Sequence, residues 1–250
     1  MLMKVKTLIG YKLRGLDGEM GSVKEFYFDD DLWMIRYLVA HTDDWLGGDY
    51  GLITFDALVA VHKREREIEV DLTRRQMEDS PSAASDRPLS LQPDPDNDGL
   101  DASPPVWNEP NLNGCLSEQQ RDLTDGKSAP NPHLRSTNRV SGYAIQALDG
   151  EIGHVDDFVI DDETWTITYL IVDTQNWWPS KKVLMSPQWI DSVNWDEEKV
   201  YVDLSRAAIE RSPEYTQASL LSRDYESALH RHYNRQPYWL SERTAKECSY

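Results

Sequence analysis

Leu148-Asp149-Gly150-Glu151-Ile152-Gly153-His154-Val155-Asp156-Asp157-Phe158-Val159-Ile160-Asp161-Asp162 decides how this chain is read, because Leu16-Asp17-Gly18-Glu19-Met20-Gly21-Ser22-Val23-Lys24-Glu25-Phe26-Tyr27-Phe28-Asp29-Asp30 stands 148 − 16 = 132 residues earlier. Working outward at that offset, Gly10–Pro81 aligns with Gly142–Pro213 without a gap, and about 27 of the 72 positions are identical. Self-similarity of this kind marks a duplicated structural unit. Both copies keep Trp33/Trp165, Thr42/Thr174 and Trp45/Trp177, end in Val70-Asp71-Leu72 or Val202-Asp203-Leu204, and close on Ser-Pro.

The periodicity inside each copy is two. Ile68-Glu69-Val70-Asp71-Leu72 and Val200-Tyr201-Val202-Asp203-Leu204 alternate apolar and polar residues, as does Trp165-Thr166-Ile167-Thr168-Tyr169, and this is the pattern of half-buried strands. Asp17-Gly18 and Asp149-Gly150 are hairpin-turn signals, since glycine accepts positive φ. About six short strands in some 70 residues are better closed than left with unpaired edges, so each copy is expected to form one small β-barrel.

Residues 82–135, between the copies, are interrupted by Pro88, Pro93, Pro95, Pro104, Pro105, Pro110, Pro130 and Pro132 and filled with Asp, Asn and Ser. This composition predicts a flexible linker, because it offers too little apolar surface to offset the entropy of ordering. The expected division is therefore 1–81, the linker 82–135, 136–213, and a tail 214–250. In the tail Leu221, Tyr225, Ala228 or Leu229, and His232 or Tyr233 recur at helical spacing before Pro237, which predicts one amphipathic helix of about 15 residues. Tyr238-Trp239 could staple it down.

The 250 residues carry 44 acidic and 26 basic side chains, a formal net charge of −18. The charge is about −5 for 1–81, −5 for 82–138, −8 for 139–213 and near zero beyond, so no segment offers a basic face to nucleic acid. No apolar run approaches the roughly 20 residues of a spanning helix, and no signal peptide is read at the N-terminus. Cys115 and Cys248 stand far apart without a CxxC, which fits a reducing cytoplasm with neither a disulfide framework nor a cysteine zinc site.

At the repeated block, with Pro132-His133-Leu134-Arg135-Ser136 before it, the sequence resembles the PRC-barrel family. That family includes the cytoplasmic domain of the H subunit of the bacterial photosynthetic reaction centre and a ribosome-maturation factor. The resemblance covers about residues 7–81 and 136–213, with the tail around Tyr233 and Tyr238-Trp239. It implies a tandem pair of PRC-type barrels acting as docking modules and not as catalysts. The H subunit has an N-terminal membrane helix with no counterpart here, so membership of a reaction centre does not follow from the likeness. A role in proton delivery would fall to surface carboxylates such as Asp156, Asp157, Asp161 and Asp162, while solvated hairpin corners are the plainer account of them.

Other constellations carry little chemistry. Asp94-Pro95-Asp96-Asn97-Asp98-Gly99 begins like an EF-hand loop, but Pro105 stands where the bidentate Glu is required. His230 and His232 are two apart on the expected helix and point in different directions, so they cannot chelate as an i, i+4 pair, and a surface or half-buried position is expected for them. His154 is read as a strand residue near a turn. Ser141-Gly142-Tyr143 is not a nucleophile elbow, and LDGExG places acids where a phosphate loop needs neutral backbone. The expectation is thus no catalytic residue, no cofactor and no metal. The aromatics of Trp45-Leu46-Gly47-Gly48 and Trp177-Trp178-Pro179-Ser180, followed by Lys181 and Lys182, are the better candidates. Trp45 and Trp177 are either plugs of the barrel mouths or exposed hot spots, and exposure is favoured for Trp178. The expected partner is a protein, through a basic surface or a membrane complex, with a homodimer or intramolecular pairing of the copies as a further possibility.

Overall fold

A computed structural model of the chain describes residues 1–42, 50–78, 133–174, 181–216, 222–237 and 239. The fold is mainly β, in two compact units. One comprises Val5–Arg139 with Thr164–Thr166, and the other Met1–Lys4, Val140–Glu163 and Ile167–Tyr250. We call them the first-copy and second-copy units.

The first-copy unit is built on β2 (Lys12–Gly15), β3 (Gly18–Asp29), β4 (Met34–His41), β5 (Tyr50–Thr54), β6 (Leu58–His62) and β7 (Glu67–Val70), followed by the short helix α2 (Arg74–Glu78). The hydrogen-bonded order is β5-β4-β3-β2-β7-β6, antiparallel throughout except for the parallel β2–β7 pair. The second copy repeats it with β9 (Ala144–Ala147), β10 (Gly150–Asp161), β11 (Ile167–Asp173), β12 (Lys182–Met185), β13 (Ile190–Asn194), β14 (Lys199–Val202) and α4 (Arg206–Glu210). Its order is β12-β11-β10-β9-β14-β13, with β9 and β14 parallel. Neither path closes into a ring among the described residues, so the expected closed barrels are instead open seven-stranded sheets.

The seventh strand of each sheet comes from the other copy. β1 (Leu2–Lys4) pairs with β10, and β8 (Leu134–Ser136), at the same repeat position 132 residues later, pairs with β3. Leu134 and Arg135, assigned to the linker from composition, are thus strand residues and are buried. One-turn helices, α1 (Val5–Leu8) and α3 (Thr137–Val140), follow these lead-in strands.

Local rules explain the shared geometry. Both copies shift register between Val23 and Glu25 or Val155 and Asp157, and again between Tyr27 and Phe28 or Val159 and Ile160. The first shift accompanies Gly21 and Gly153, at φ +129° and +156°, where an added Cβ would meet the carbonyl oxygen of His41 at 2.1 Å or of Asp173 at 2.0 Å. Only glycine lets the neighbouring strand approach so closely. The turn aspartates have a second role: Asp17 Oδ1 accepts from Arg74 N at 3.0 Å and Asp149 Oδ1 from Arg206 N at 2.7 Å, tying each hairpin tip to the start of α2 or α4. Phe26, Phe28, Ile35, Leu38, Leu52, Ile53 and Ile68 form one core, and Phe158, Val159, Ile160, Leu170, Val183 and Val200 the other.

The tail forms α5 (Arg223–His232), shorter than the sequence pattern suggests because it starts at the Ser222 cap, whose hydroxyl accepts from Tyr225 N at 3.3 Å. Among the described residues no helix is long and apolar enough to cross a membrane.

Candidate functional site

The connection between β11 and β12 leaves and re-enters the second-copy sheet at one clasp. Thr174 N donates to the Lys181 carbonyl at 3.0 Å, Thr174 Oγ1 donates to the same oxygen at 2.8 Å, and Lys181 N donates back to Oγ1 at 3.1 Å. Thr174 is buried, as is its counterpart Thr42. A threonine suits the position because its hydroxyl both donates and accepts, so one side chain closes the neck. Trp177 and Trp178, between these anchors, lie outside the described residues, as does Trp45.

The two lysines at the neck are not equivalent. Lys181 Nζ donates to the Ser212 carbonyl at 2.6 Å, and burial lowers its pKa against the opposing pull of Glu214 and Glu210. Lys182 Nζ donates to Asp156 Oδ2 at 2.7 Å and lies 3.9 Å from Asp173, and the bond to Asp156 raises its pKa despite partial burial. The Lys182 carbonyl accepts from Tyr215 N at 2.7 Å, joining the neck to the segment that leads toward α5.

The four carboxylates expected on an acidic surface divide in the same way. Asp156 is committed to Lys182. Asp157 is a correction: it is 2 % exposed, its carboxylate accepting from Phe158 N at 2.8 Å, and it lies at the register shift after Val155, opposite Ile171 of the largely buried β11. Its repeat partner Glu25 accepts from Ser136 Oγ at 2.7 Å and has its pKa raised by burial, against hydrogen bonds from Ser136, Tyr27 and Asn138. Asp161 and Asp162 both contact the Met1 ammonium. Burial works to lower that ammonium's pKa, and the bonds and charges of the two aspartates outweigh it, leaving it raised.

Beneath α5 lies a buried polar cluster. His230, expected exposed or half-buried, is 1 % exposed, and Glu226 is 4 % exposed. The Tyr169 hydroxyl donates to Glu226 Oε1 at 3.1 Å and contacts His230 Nε2 at 3.0 Å. A phenol has one proton, so with that proton on Glu226 the histidine Nε2–H donates to the tyrosine oxygen. Arg223 Nη1 closes the other side of Glu226 at 3.0 Å. His230 Nδ1 is buried without a hydrogen bond among the described residues. Burial lowers the His230 pKa, with the Gln236 main chain acting in the opposite sense. Trp189 and Trp239 stand edge-on to the imidazole at 5.4 and 5.5 Å, and the Arg223 guanidinium lies 4.5 Å over Trp239, which gives Trp239 the stapling place expected of it. His232, by contrast, is exposed and reaches the Ala208 carbonyl at 2.8 Å. Around the cluster, burial pushes the Tyr215 and Tyr233 phenols up to about 12.

Sequence reasoning missed Glu226 because a helix carboxylate reads as a solvated face unless its partner, 57 residues away on β11, is known. It also passed over Leu16 and Leu148, which are 66 % and 71 % exposed at the two hairpin tips. The available signal was their identity in both copies at a position where a turn needs no leucine.

No curated protein matches the chain. The family model described as PRC-barrel domain matches residues 136–209, from the end of β8 through most of α4. This span is the second copy of the repeat, and the first copy shares its strand order and bulge positions. Residues 136–209 are therefore similar to a PRC-barrel domain.

Proposed function

We propose that the chain is a cytoplasmic, non-enzymatic docking module that presents the aromatic connection 175–180 of its second copy to a protein partner. The observation that carries this reading is the Thr174–Lys181 clasp. It joins Thr174 and Lys181, the described residues on either side of the sequence that contains Trp177-Trp178-Pro179-Ser180, so a partner-binding segment there would start and end at a rigid base. The acidic charge of the whole chain would speed encounter with a basic protein surface. Proton delivery in the manner of a reaction-centre H subunit receives less support, since Asp156, Asp161 and Asp162 each hold a cation and Asp157 is enclosed.

The test is comparative capture from native lysate with the intact chain and with Trp177→Ala/Trp178→Ala, read by quantitative mass spectrometry beside near-ultraviolet circular dichroism. The docking reading expects at least one protein to fall about tenfold or more with folding unchanged, as loss of an aromatic hot spot would cause. Equal capture by both forms overturns it. Selective enrichment of photosynthetic membrane complexes or of small ribosomal subunits, unaffected by the double substitution, would move the assignment to those systems.

A further inference from the structure

We propose that Asp30, Asp31 and His133 form a binding site for one divalent ion of the zinc class. His133 Nδ1 lies 3.1 Å from Asp30 Oδ1 and 3.1 Å from Asp31 Oδ2, and all three ligand atoms fall within 4.8 Å of one another. Zinc bonds to nitrogen and carboxylate oxygen are about 2.0–2.2 Å long, which sets neighbouring ligand atoms about 3.0–3.5 Å apart. An ion entering between these groups needs little rearrangement. One imidazole with two carboxylates suits zinc, cobalt or manganese better than calcium, whose sites are built from oxygen alone.

The surroundings hold the ligands in place. Arg135 Nε binds the other oxygen of Asp30, Oδ2, at 2.9 Å, and both side chains are nearly buried, so Oδ1 is left directed toward His133. Asp30 N donates to the His133 carbonyl at 2.9 Å. Asp29 Oδ1 accepts from Asp31 N and Leu32 N, both at 3.0 Å, which fixes the turn carrying Asp31. His133 and Asp31 are themselves 51 % and 68 % exposed at the side chain, so an ion can enter and keep water on its remaining positions. Two carboxylates, Asp30 and Asp31, stand against the one guanidinium of Arg135 to receive it. Bound there, the ion would pin the lead-in strand β8 to the β3–β4 turn, two segments 103 residues apart in the chain.

The test titrates the full chain with Zn²⁺ by calorimetry and with Co²⁺ by visible absorption. One equivalent is expected, weakened at least about tenfold by His133→Ala, by His133→Gln and by Asp31→Asn, as loss of a ligand should do at minimum. Asp94→Asn/Asp96→Asn, in the EF-hand-like string, should leave that equivalent intact. Zn²⁺ should also slow amide exchange at Leu134–Ser136 in the unsubstituted chain and not in His133→Gln. Thermal melts without metal check that the variants fold, and the exposed position of His133 leads us to expect that they do. Absence of uptake at millimolar ion, or uptake unchanged by the His133 substitutions, overturns the site.

Discussion

Tyr37 and Tyr169 occupy one position of the repeat, on β4 and β11, and stand opposite Tyr27 and Val159 in the same register. Their surroundings nevertheless differ. Tyr37 is half-buried, whereas Tyr169 is 0 % exposed, and β11 is buried at six of its seven residues against four of eight in β4. The cause is α5, which lays Glu226 and His230 over the Tyr169 hydroxyl and has no counterpart among the described residues of the first-copy unit. Duplication supplied two equal sheets. The added helix turned one outer face into a second core with a polar centre, in which the Tyr169 hydroxyl depends on two side chains of that helix.

The comparison yields predictions of decreasing size. Where the copies are alike they should fail alike: Gly21→Ala and Gly153→Ala each force a Cβ against a carbonyl at positive φ, and each should cost on the order of 3 kcal/mol by local amide exchange in its own unit. A large difference between the two would show that the sheets are less equivalent than their registers. Where the copies differ, Glu226→Ala leaves Arg223 and the Tyr169 hydroxyl without their acceptor and should destabilise the second-copy unit by about 2–3 kcal/mol in chemical denaturation. Tyr169→Phe, which removes the hydroxyl between Glu226 and His230, should cost about 1 kcal/mol in the same measurement.

A pH profile tests the same asymmetry. The folded pKa of His230 is depressed below its ordinary value near 6.5. Above that value the ring is neutral in both states and the contribution is fully present. As pH falls, the unfolded chain takes up the proton first, and stability is lost toward the folded pKa. Protection factors of β11 amides, corrected for the intrinsic pH dependence of exchange, should therefore fall below about pH 6.5, and His230→Gln should flatten the curve. The smallest effect is expected at the hairpin tips, where Leu16→Asp and Leu148→Asp should each change stability by less than about 0.5 kcal/mol. A larger loss would mean that these exposed leucines are covered.

Much of the architecture could be read in advance. The alternation in Ile68–Leu72 and Val200–Leu204 marks β7 and β14, and Asp-Gly marks the hairpins, because these signals depend on residues adjacent in the chain. Barrel closure was not legible, since it depends on whether terminal strands meet, and the described strands leave the sheets open. Lys181 and Lys182 were singled out as interaction candidates and Asp156 as part of an acidic surface; not legible were the contacts of Lys181 with the Ser212 carbonyl and of Lys182 with Asp156. Asp157 was placed with exposed acids because paired carboxylates read as solvated hairpin corners, whereas it lies in the middle of β10 and is buried. His230 shows the same limit on a helix: a surface or half-buried place was expected for it, while its partner Tyr169 lies on a strand far back in the chain.

The order of residues alone dictated a duplication, the places of its strands and turns, and the glycines at its tight approaches, because each follows from the conformational limits of neighbouring residues. It left open which sheet each lead-in strand would join. β1 and β8 pair through backbone groups that any sequence carries, so their partner is chosen by burial and connectivity and not by a local pattern. The meeting of Asp30 with His133 and of Tyr169 with His230 has the same origin: folding brings together charges and donors that are strangers along the chain.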